Sequence, residues 1–369
     1  MASPDVVVIG AGIIGAACAH ALRRGGLRVE VVERDAPACA TTASGEGNVL
    51  VSDKAPGPEL ALARESRRRW PEVLAELEVD AEWEAKGGLT VVTAEPAGLL
   101  AFAQAQRAGG VVAEVADDPW TLEPHLTRAV TAAVHYPEDA QLQPVLAATA
   151  LLRGIPVRAH TTVTGLGPGI LHTTGGPIRC HSVVNASGPW AGEVSAALGA
   201  PIAIHPRRGV VLVTSPQPEL VRHKVYDGDY VNAVASDDAG LQTSTVVEST
   251  RAGTILIGSS RERVGFRPSL DTRVLSTLAA KAQALFPVLA TVPVMRAYGG
   301  FRPYAPDHLP VIGQDPRLPH LWHATGHEGA GIGLAPATGD LLAALLLGTT
   351  PRLDPAPFQV DRPGVLVTA

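Results

Sequence analysis

Val6-Val7-Val8-Ile9-Gly10-Ala11-Gly12-Ile13-Ile14-Gly15 reads as a buried strand, a glycine turn and the start of a helix, and the rest of the chain is placed relative to it. The helix continues over Ala16 to Arg24, and Val29-Glu30-Val31-Val32-Glu33 follows as a second strand ending in an acid. The three glycines have separate tasks in a dinucleotide site: Gly10 permits the tight turn, Gly12 lets a pyrophosphate approach the backbone, and Gly15 lets helix and strand pack closely. The helix start offers free N–H groups to phosphate. Glu33 stands where a carboxylate accepts hydrogen bonds from ribose hydroxyls and repels a 2′-phosphate. A glycine triplet alone is a weak signal in a glycine-rich chain. The strand, helix and acid around it turn it into a dinucleotide fingerprint, without saying whether NAD or FAD is held.

The chain has 369 residues, 46% hydrophobic and 18% charged, with a net charge of −6. That length suits a large core and two domains. The balance of charge, without runs of one sign, argues against nucleic acid or an anionic membrane as the main partner. Cys18, Cys39 and Cys180 are scattered and odd in number, which suggests neither a disulfide framework nor a metal cluster and points to a reducing compartment. Cys18 is expected to pack within the first helix. No apolar run reaches the ~18 residues of a membrane span. A cytoplasmic protein is expected.

Further along, Thr41-Thr42-Ala43-Ser44-Gly45-Glu46-Gly47-Asn48 is a small polar loop close behind the ribose acid. Thr42 and Ser44 are candidates for phosphate, Asn48 for a ring system, against an ordinary solvated loop. An amphipathic helix is expected at 59–77, further helices at 96–108 and 143–152, strands at 87–93 and 155–163, and a hairpin over 169–178 divided by Gly175-Gly176. Ser182-Val183-Val184-Asn185-Ala186-Ser187-Gly188-Pro189-Trp190 reads as a buried strand entering a turn at the sheet's carboxyl edge, where open α/β sheets bind ligands. From Val210 to Phe266, strands such as 210–214 and 253–258 indicate a mixed or antiparallel sheet in a second domain. The chain returns to the first domain near Tyr298-Gly299-Gly300 and ends with strand 321–325, a glycine turn and a helix from Pro336 to Leu347.

The fingerprint with Glu33-Arg34, the Val184 to Trp190 segment, Gly300-Phe301-Arg302-Pro303 followed by Asp307-His308-Leu309-Pro310-Val311-Ile312-Gly313, and Thr325-Gly326-His327-Glu328-Gly329-Ala330-Gly331-Ile332 together resemble the D-amino-acid oxidase family of flavoproteins. Ser44 to Lys54, Val247 to Arg251 and Gly258-Ser259-Ser260-Arg261-Glu262 are most similar to the β subunits of hydroxyproline dehydrogenases, opine oxidases and cyanide-forming glycine dehydrogenases. The resemblance implies an α/β protein, α+β overall. A Rossmann-like FAD-binding domain would be assembled from residues 1–86, 141–206 and 297–369. A mixed or antiparallel substrate domain would be built from 87–140 and 207–296.

The resemblance also assigns roles. Arg302 would clamp the substrate carboxylate, as a bidentate guanidinium fits a planar carboxylate and fixes the Cα–H over the flavin; a plain interface arginine is the competing reading. Gly329, Gly331, Ile332 and the following helix start would face the flavin's pyrimidine edge. Ile13, Ile14, Arg34, Gly47, Val163, Ala186, Ser187, Gly188, Trp190 and Arg302 join the expected FAD contacts. His327 and Glu328 are secondary candidates as proton acceptors. Tyr226 and Tyr230 are candidates to close the pocket on the carboxylate, or core aromatics. No metal site is expected, because His320, His323 and His327 spread too far along strand and turn.

The implied reaction is oxidation of an amino acid C–N bond by hydride transfer to FAD, giving an imine. Sarcosine oxidases of this family carry an oxygen-activating lysine on the strand matching Ile255-Leu256-Ile257 and a flavin-linking cysteine near Gly300. Both are missing here, so noncovalent FAD is expected, with a dehydrogenase passing electrons to partner subunits or a quinone. The alternatives are an autonomous glycine, sarcosine or D-amino-acid oxidase that releases hydrogen peroxide, and a FAD-holding structural subunit.

Overall fold

The computed structural model describes residues 3–230 and 236–367. Val6–Ile9 lies inside a six-stranded sheet ordered Val311–Gln314, Leu321–Thr325, Ser182–Asn185, Val6–Ile9, Val29–Val32, Val157–Arg158. All neighbours run parallel except the first pair. Val6 and Val8 face one core, shared with helices Ile13–Arg24, Pro58–Glu76 and Gly331–Leu347, whereas Val7 and Ile9 face another, shared with Leu171, Ile178 and Val183. A strand buried on both faces has no polar side to show, which is why its sequence is uniformly apolar rather than alternating.

The second sheet has eight strands, ordered Val294–Tyr304, His205–Thr214, Ile255–Arg261, Gln242–Ser249, Lys224–Asp227, Gly88–Val92, Ala132–Tyr136, Glu114–Val115. It is mixed: Lys224–Asp227 runs parallel to Gly88–Val92, and its other pairs are antiparallel. Helix Thr272–Leu285 covers one face, packing Val274, Leu278 and Leu285 against Val210, Leu212 and Ile257. Residues Gly209 and Val211, from the opposite face, line a cavity. Among the described residues, no helix is long and apolar enough to cross a membrane.

The expected helices and the hairpin over 169–178 are present within a residue or two, and Cys18 is buried in the first helix. Two features differ, the strand at 155–163 and the start of the last helix. The expected strand 155–163 is broken into Val157–Arg158 and Val163–Gly167, with His160 in a left-handed conformation at φ 52° between them. The Gly299-Gly300 pair, where the chain was expected to return to the first domain, lies within Val294–Tyr304, which pairs with His205–Thr214 over nearly its whole length. A Cβ on Gly300 would come within 2.5 Å of the Ser44 Cβ, so the glycine serves a close approach.

The C-terminal helix begins at Gly331, so Pro336 lies inside it. Pro336 has no N–H for the Ile332 carbonyl, and the buried indole Nε1 of Trp70 donates to that carbonyl instead, at 3.0 Å. The helix is thereby carried past a residue that would otherwise mark its first turn. Trp70→Phe should lower the unfolding free energy by about 1–3 kcal/mol, because it leaves the carbonyl unpaired. In a Pro336→Ala background, where the backbone can donate again, the same change should cost clearly less by urea denaturation. Equal costs in both backgrounds would remove the indole from this role.

Candidate active site

A cavity of about 1880 Å³, counted to its open mouth, lies between the two sheets. At one end is the glycine turn. Gly10 has φ 104°, and a Cβ there would sit 2.5 Å from the Ala186 carbonyl oxygen; one on Gly15 would sit 1.9 Å from the Gly10 oxygen. These contacts hold strand, helix and the Ala186-Ser187 turn together around a channel that no side chain fills. The Ile13 N–H donates to Thr42 Oγ1 at 2.9 Å, drawing the polar loop over the helix start. Glu33 accepts from the Ala11 N–H at 2.8 Å and the Asp35 N–H at 2.9 Å. Arg34 lies 4.5 Å above the Trp190 ring, which stacks on Phe266 at 5.0 Å. Asn185 shapes the next turn by accepting from Ser187 Oγ at 2.6 Å and donating to the Ala191 carbonyl at 3.0 Å.

At the other end stands Arg302, whose Nη1 donates to the Ser260 carbonyl at 2.9 Å. Gly209 and Gly329 make room for it: a Cβ on Gly209 would fall 2.1 Å from Nη1, and one on Gly329 3.3 Å from Nε. Burial, and then the neighbouring Arg261, hold its pKa down to about 10, so it stays charged at neutral pH. Glu328, at φ 44°, accepts from Arg207 at 3.2 Å and meets His308 Nδ1 at 2.7 Å. His327 contacts Thr338 Oγ1 through Nε2 at 3.0 Å, and burial pushes its pKa down to about 3. Its imidazole is therefore neutral at working pH. The helix beginning at Gly331 has no side-chain cap, and Gly329, Gly331 and Ile332 at its start line the cavity.

A family model described as FAD dependent oxidoreductase, DAO, matches residues 5–345. The chain belongs to this family. Among its relatives are hydrogen cyanide synthase subunit HcnC of Pseudomonas aeruginosa, 28% identical with 97% of this chain and 96% of that one covered, and the bifunctional protein ThiO/ThiG of Nostoc sp., 32% identical. The match to ThiO/ThiG covers 93% of this chain but 52% of the relative, so the chain spans about half the length of that bifunctional protein. Of solved structures, glycine oxidase from Geobacillus kaustophilus superposes with a TM-score of 0.89 at 26% identity, covering 97% of this chain and 98% of that one.

As a DAO-family flavoprotein, the chain needs an extended slot for FAD, and the cavity has the required features. It has a side-chain-free turn at Gly10 and Gly12, the carboxylate of Glu33 at its wall, and a second uncapped helix start at Gly331. Of the residues expected at the site, the cavity is lined by Gly10, Gly12, Ile13, Ile14, Glu33, Arg34, Thr42, Ser44, Asn48, Val163, Ala186, Ser187, Gly188, Trp190, Tyr230, Arg302, His327, Glu328, Gly329, Gly331 and Ile332. Three others lie outside its lining. Gly15 packs against Gly10, as its part in the fingerprint requires, and Gly47, at φ 92°, is pressed against the Leu142 carbonyl. Tyr226 is fully buried beside Tyr230, with ring centroids 5.0 Å apart, so it supports the wall and is not part of it. The expected use of Thr42 is also modified: its oxygen already accepts from the Ile13 N–H, leaving its own O–H to donate. His323 is tied to Asp315 within the sheet. Sequence reasoning missed Gly209 and Ser259 on the cavity wall, and Arg261 behind it. Only the Gly258 to Glu262 motif pointed toward them.

The buried His327 carries a pH consequence. Its folded pKa lies below the ordinary value of 6.5, so the unfolded chain takes up a proton that the native chain refuses. Stability is thus lost as pH falls from about 6.5 toward 3, by up to ~1.4 kcal/mol per pH unit from this group. His327→Asn should make the fall in urea-unfolding free energy over that window measurably shallower; parallel curves for the two proteins would contradict a buried neutral imidazole.

Proposed function

We propose that this chain oxidises the C–N bond of an amino acid, holding the substrate carboxylate on Arg302. The observation that carries this is a guanidinium at the cavity wall whose one hydrogen bond among the described residues goes to a carbonyl, and which has no ion pair there. A buried cation without a counter-ion is costly. A carboxylate that arrives with the substrate removes that cost and is held in a fixed orientation by the fork of N–H donors.

The glycine turn, Glu33, the Thr42 loop and the Ala186 to Trp190 turn would hold FAD, which would supply a two-electron acceptor for hydride from the substrate Cα. Arg302 fixes the carboxylate, and with it the direction of the Cα–H. Gly209 and Gly329 keep the approach open, and the uncapped start of the Gly331 helix offers positive potential to charge developing at the cavity end. Neither proton-acceptor candidate is a free base: His327 is neutral with a strongly depressed pKa, and both Glu328 oxygens are engaged. We therefore assign no general base, and the amine enters neutral.

Electrons leave, in this reading, to a partner subunit or a quinone, since no lysine lines the cavity among the described residues. FAD is bound noncovalently in this reading; Cys39, among the described residues the one cysteine lining the cavity, lies near the glycine turn. The assignment of 1–86, 141–206 and 297–369 to the FAD domain, and of 87–140 and 207–296 to the substrate domain, is part of the same proposal, as is a cytoplasmic setting. The second reading is an oxidase that releases hydrogen peroxide, favoured by the similarity to glycine oxidase over nearly the full length of both chains. Peroxide release on re-aeration of substrate-reduced protein decides between them.

Arg302→Leu should retain the flavin and its visible spectrum while kcat/KM for amino acids falls by about 10²–10⁴-fold, as expected for losing a charge-assisted bidentate clamp. Gly209→Ala, which pushes a methyl into the Nη1 position, should raise KM in the same direction with flavin content unchanged. Amino acid kinetics untouched by Arg302→Leu would take Arg302 out of the site.

A further inference from the structure

Glu46 belongs to the polar loop behind the glycine turn and lines the same cavity as Arg302. The two side chains lie over one strand: Arg302 Nη1 donates to the Ser260 carbonyl, and a Cβ on Gly258, two residues earlier, would fall 2.7 Å from Glu46 Oε1. A glycine clears the space for each group, Gly209 for the guanidinium and Gly258 for the carboxylate. The two charges influence one another, yet no hydrogen bond or ion pair joins them among the described residues. The loop that carries Glu46 is held in place by Gln141, whose Nε2 donates to the Glu46 backbone carbonyl at 3.0 Å.

The two carboxylate oxygens have different surroundings. Oε2 accepts from Asn48 Nδ2 at 3.1 Å and has Lys224 at 3.9 Å, a lysine shared with Glu248 at 3.8 Å. Oε1 is buried and has no hydrogen-bond partner among the described residues. Such an oxygen costs free energy until a donor reaches it. Resting on the amino acid reading above, we propose that Glu46 is a further catalytic residue, whose Oε1 accepts an N–H of the substrate's α-nitrogen while Arg302 holds the carboxylate. The amine binds neutral. As hydride leaves Cα for FAD with the C–H bonding pair, the nitrogen lone pair closes the C=N bond, and the nitrogen becomes positively charged while keeping its N–H. Glu46 supplies the negative charge that faces it and takes no proton in this step. Because the positive charge arises only as the C–H bond breaks, the carboxylate favours the transition state over the bound amine. Arg302 and Glu46 together then read the two groups that all α-amino acids share.

The test is anaerobic stopped-flow reduction of the FAD-loaded protein by glycine, sarcosine, 4-hydroxyproline and a panel of L- and D-amino acids, followed by flavin absorbance. With the amino acid that reduces the wild type fastest, Glu46→Gln, which keeps the size and an acceptor oxygen but drops the charge, should lower the limiting reduction rate by about 10²–10³-fold, as for loss of one preorganised group facing a developing charge. The substrate Kd should change by less than about threefold, since the lost interaction belongs to the transition state. Glu46→Asp, which keeps the charge, should retain more of the rate than Glu46→Gln. Acetate, a carboxylate without an amine, should bind Glu46→Gln no more weakly than wild type in a flavin absorbance titration, whereas Arg302→Leu should weaken it. A limiting rate unchanged in Glu46→Gln overturns the role of Glu46 and leaves the amino acid reading standing. So do equal losses in the aspartate and glutamine variants, and a slow rate accompanied by lost acetate binding, which marks a general defect of the cavity. A wild-type flavin that no amino acid in the panel reduces removes both.

Discussion

A guanidinium removed from water needs either a counter-ion or a reason to be without one, and the substrate end of this molecule is built around that constraint. Arg302 is carried on a strand paired with His205–Thr214, where its register partner is another arginine, Arg207. Space for its side chain depends on glycine at 209 and 329. Glu328, the nearby acid on the C-terminal turn, is turned to Arg207 and His308, leaving Arg302 without an ion pair among the described residues. The sheet, the glycine pair and the C-terminal turn together maintain a positive charge facing a cavity. Such a charge is a liability in a merely structural setting and an asset where an anionic substrate must be seized and oriented.

The opposite end of the cavity follows a different logic, that of close backbone approach. The contacts made by Gly10 and Gly15 are shorter than any side chain permits, and they fix strand, helix and the Ala186 turn as one unit. This part was legible in the sequence, because each glycine, the apolar strand and the terminal acid are local features with a fixed spacing. The two-faced burial of the central strand and the mixed second sheet were legible for the same reason.

What the sequence did not disclose depends on partners distant in the chain. Pro336 reads as the first turn of a helix, and only the contact with Trp70, remote in sequence, shows why the helix starts earlier. The local sequence does not say that Gly300 leaves space for Ser44 within a strand. Tyr226 and Tyr230 are close in sequence and equally aromatic, and only the fold shows that one is buried support and the other cavity wall.

The comparisons place the chain in a family of FAD-dependent oxidoreductases, and the geometry gives that membership its chemical content. The central claim is that oxidation depends on a carboxylate gripped by Arg302. Its most direct test is anaerobic, single-turnover reduction of the protein-bound flavin by an amino acid and, separately, by the amine left after that amino acid is decarboxylated. The account predicts rapid bleaching by the amino acid and bleaching by the amine slower by about 10³-fold or more. Equal rates for the two, or reduction by the amine alone, would contradict it.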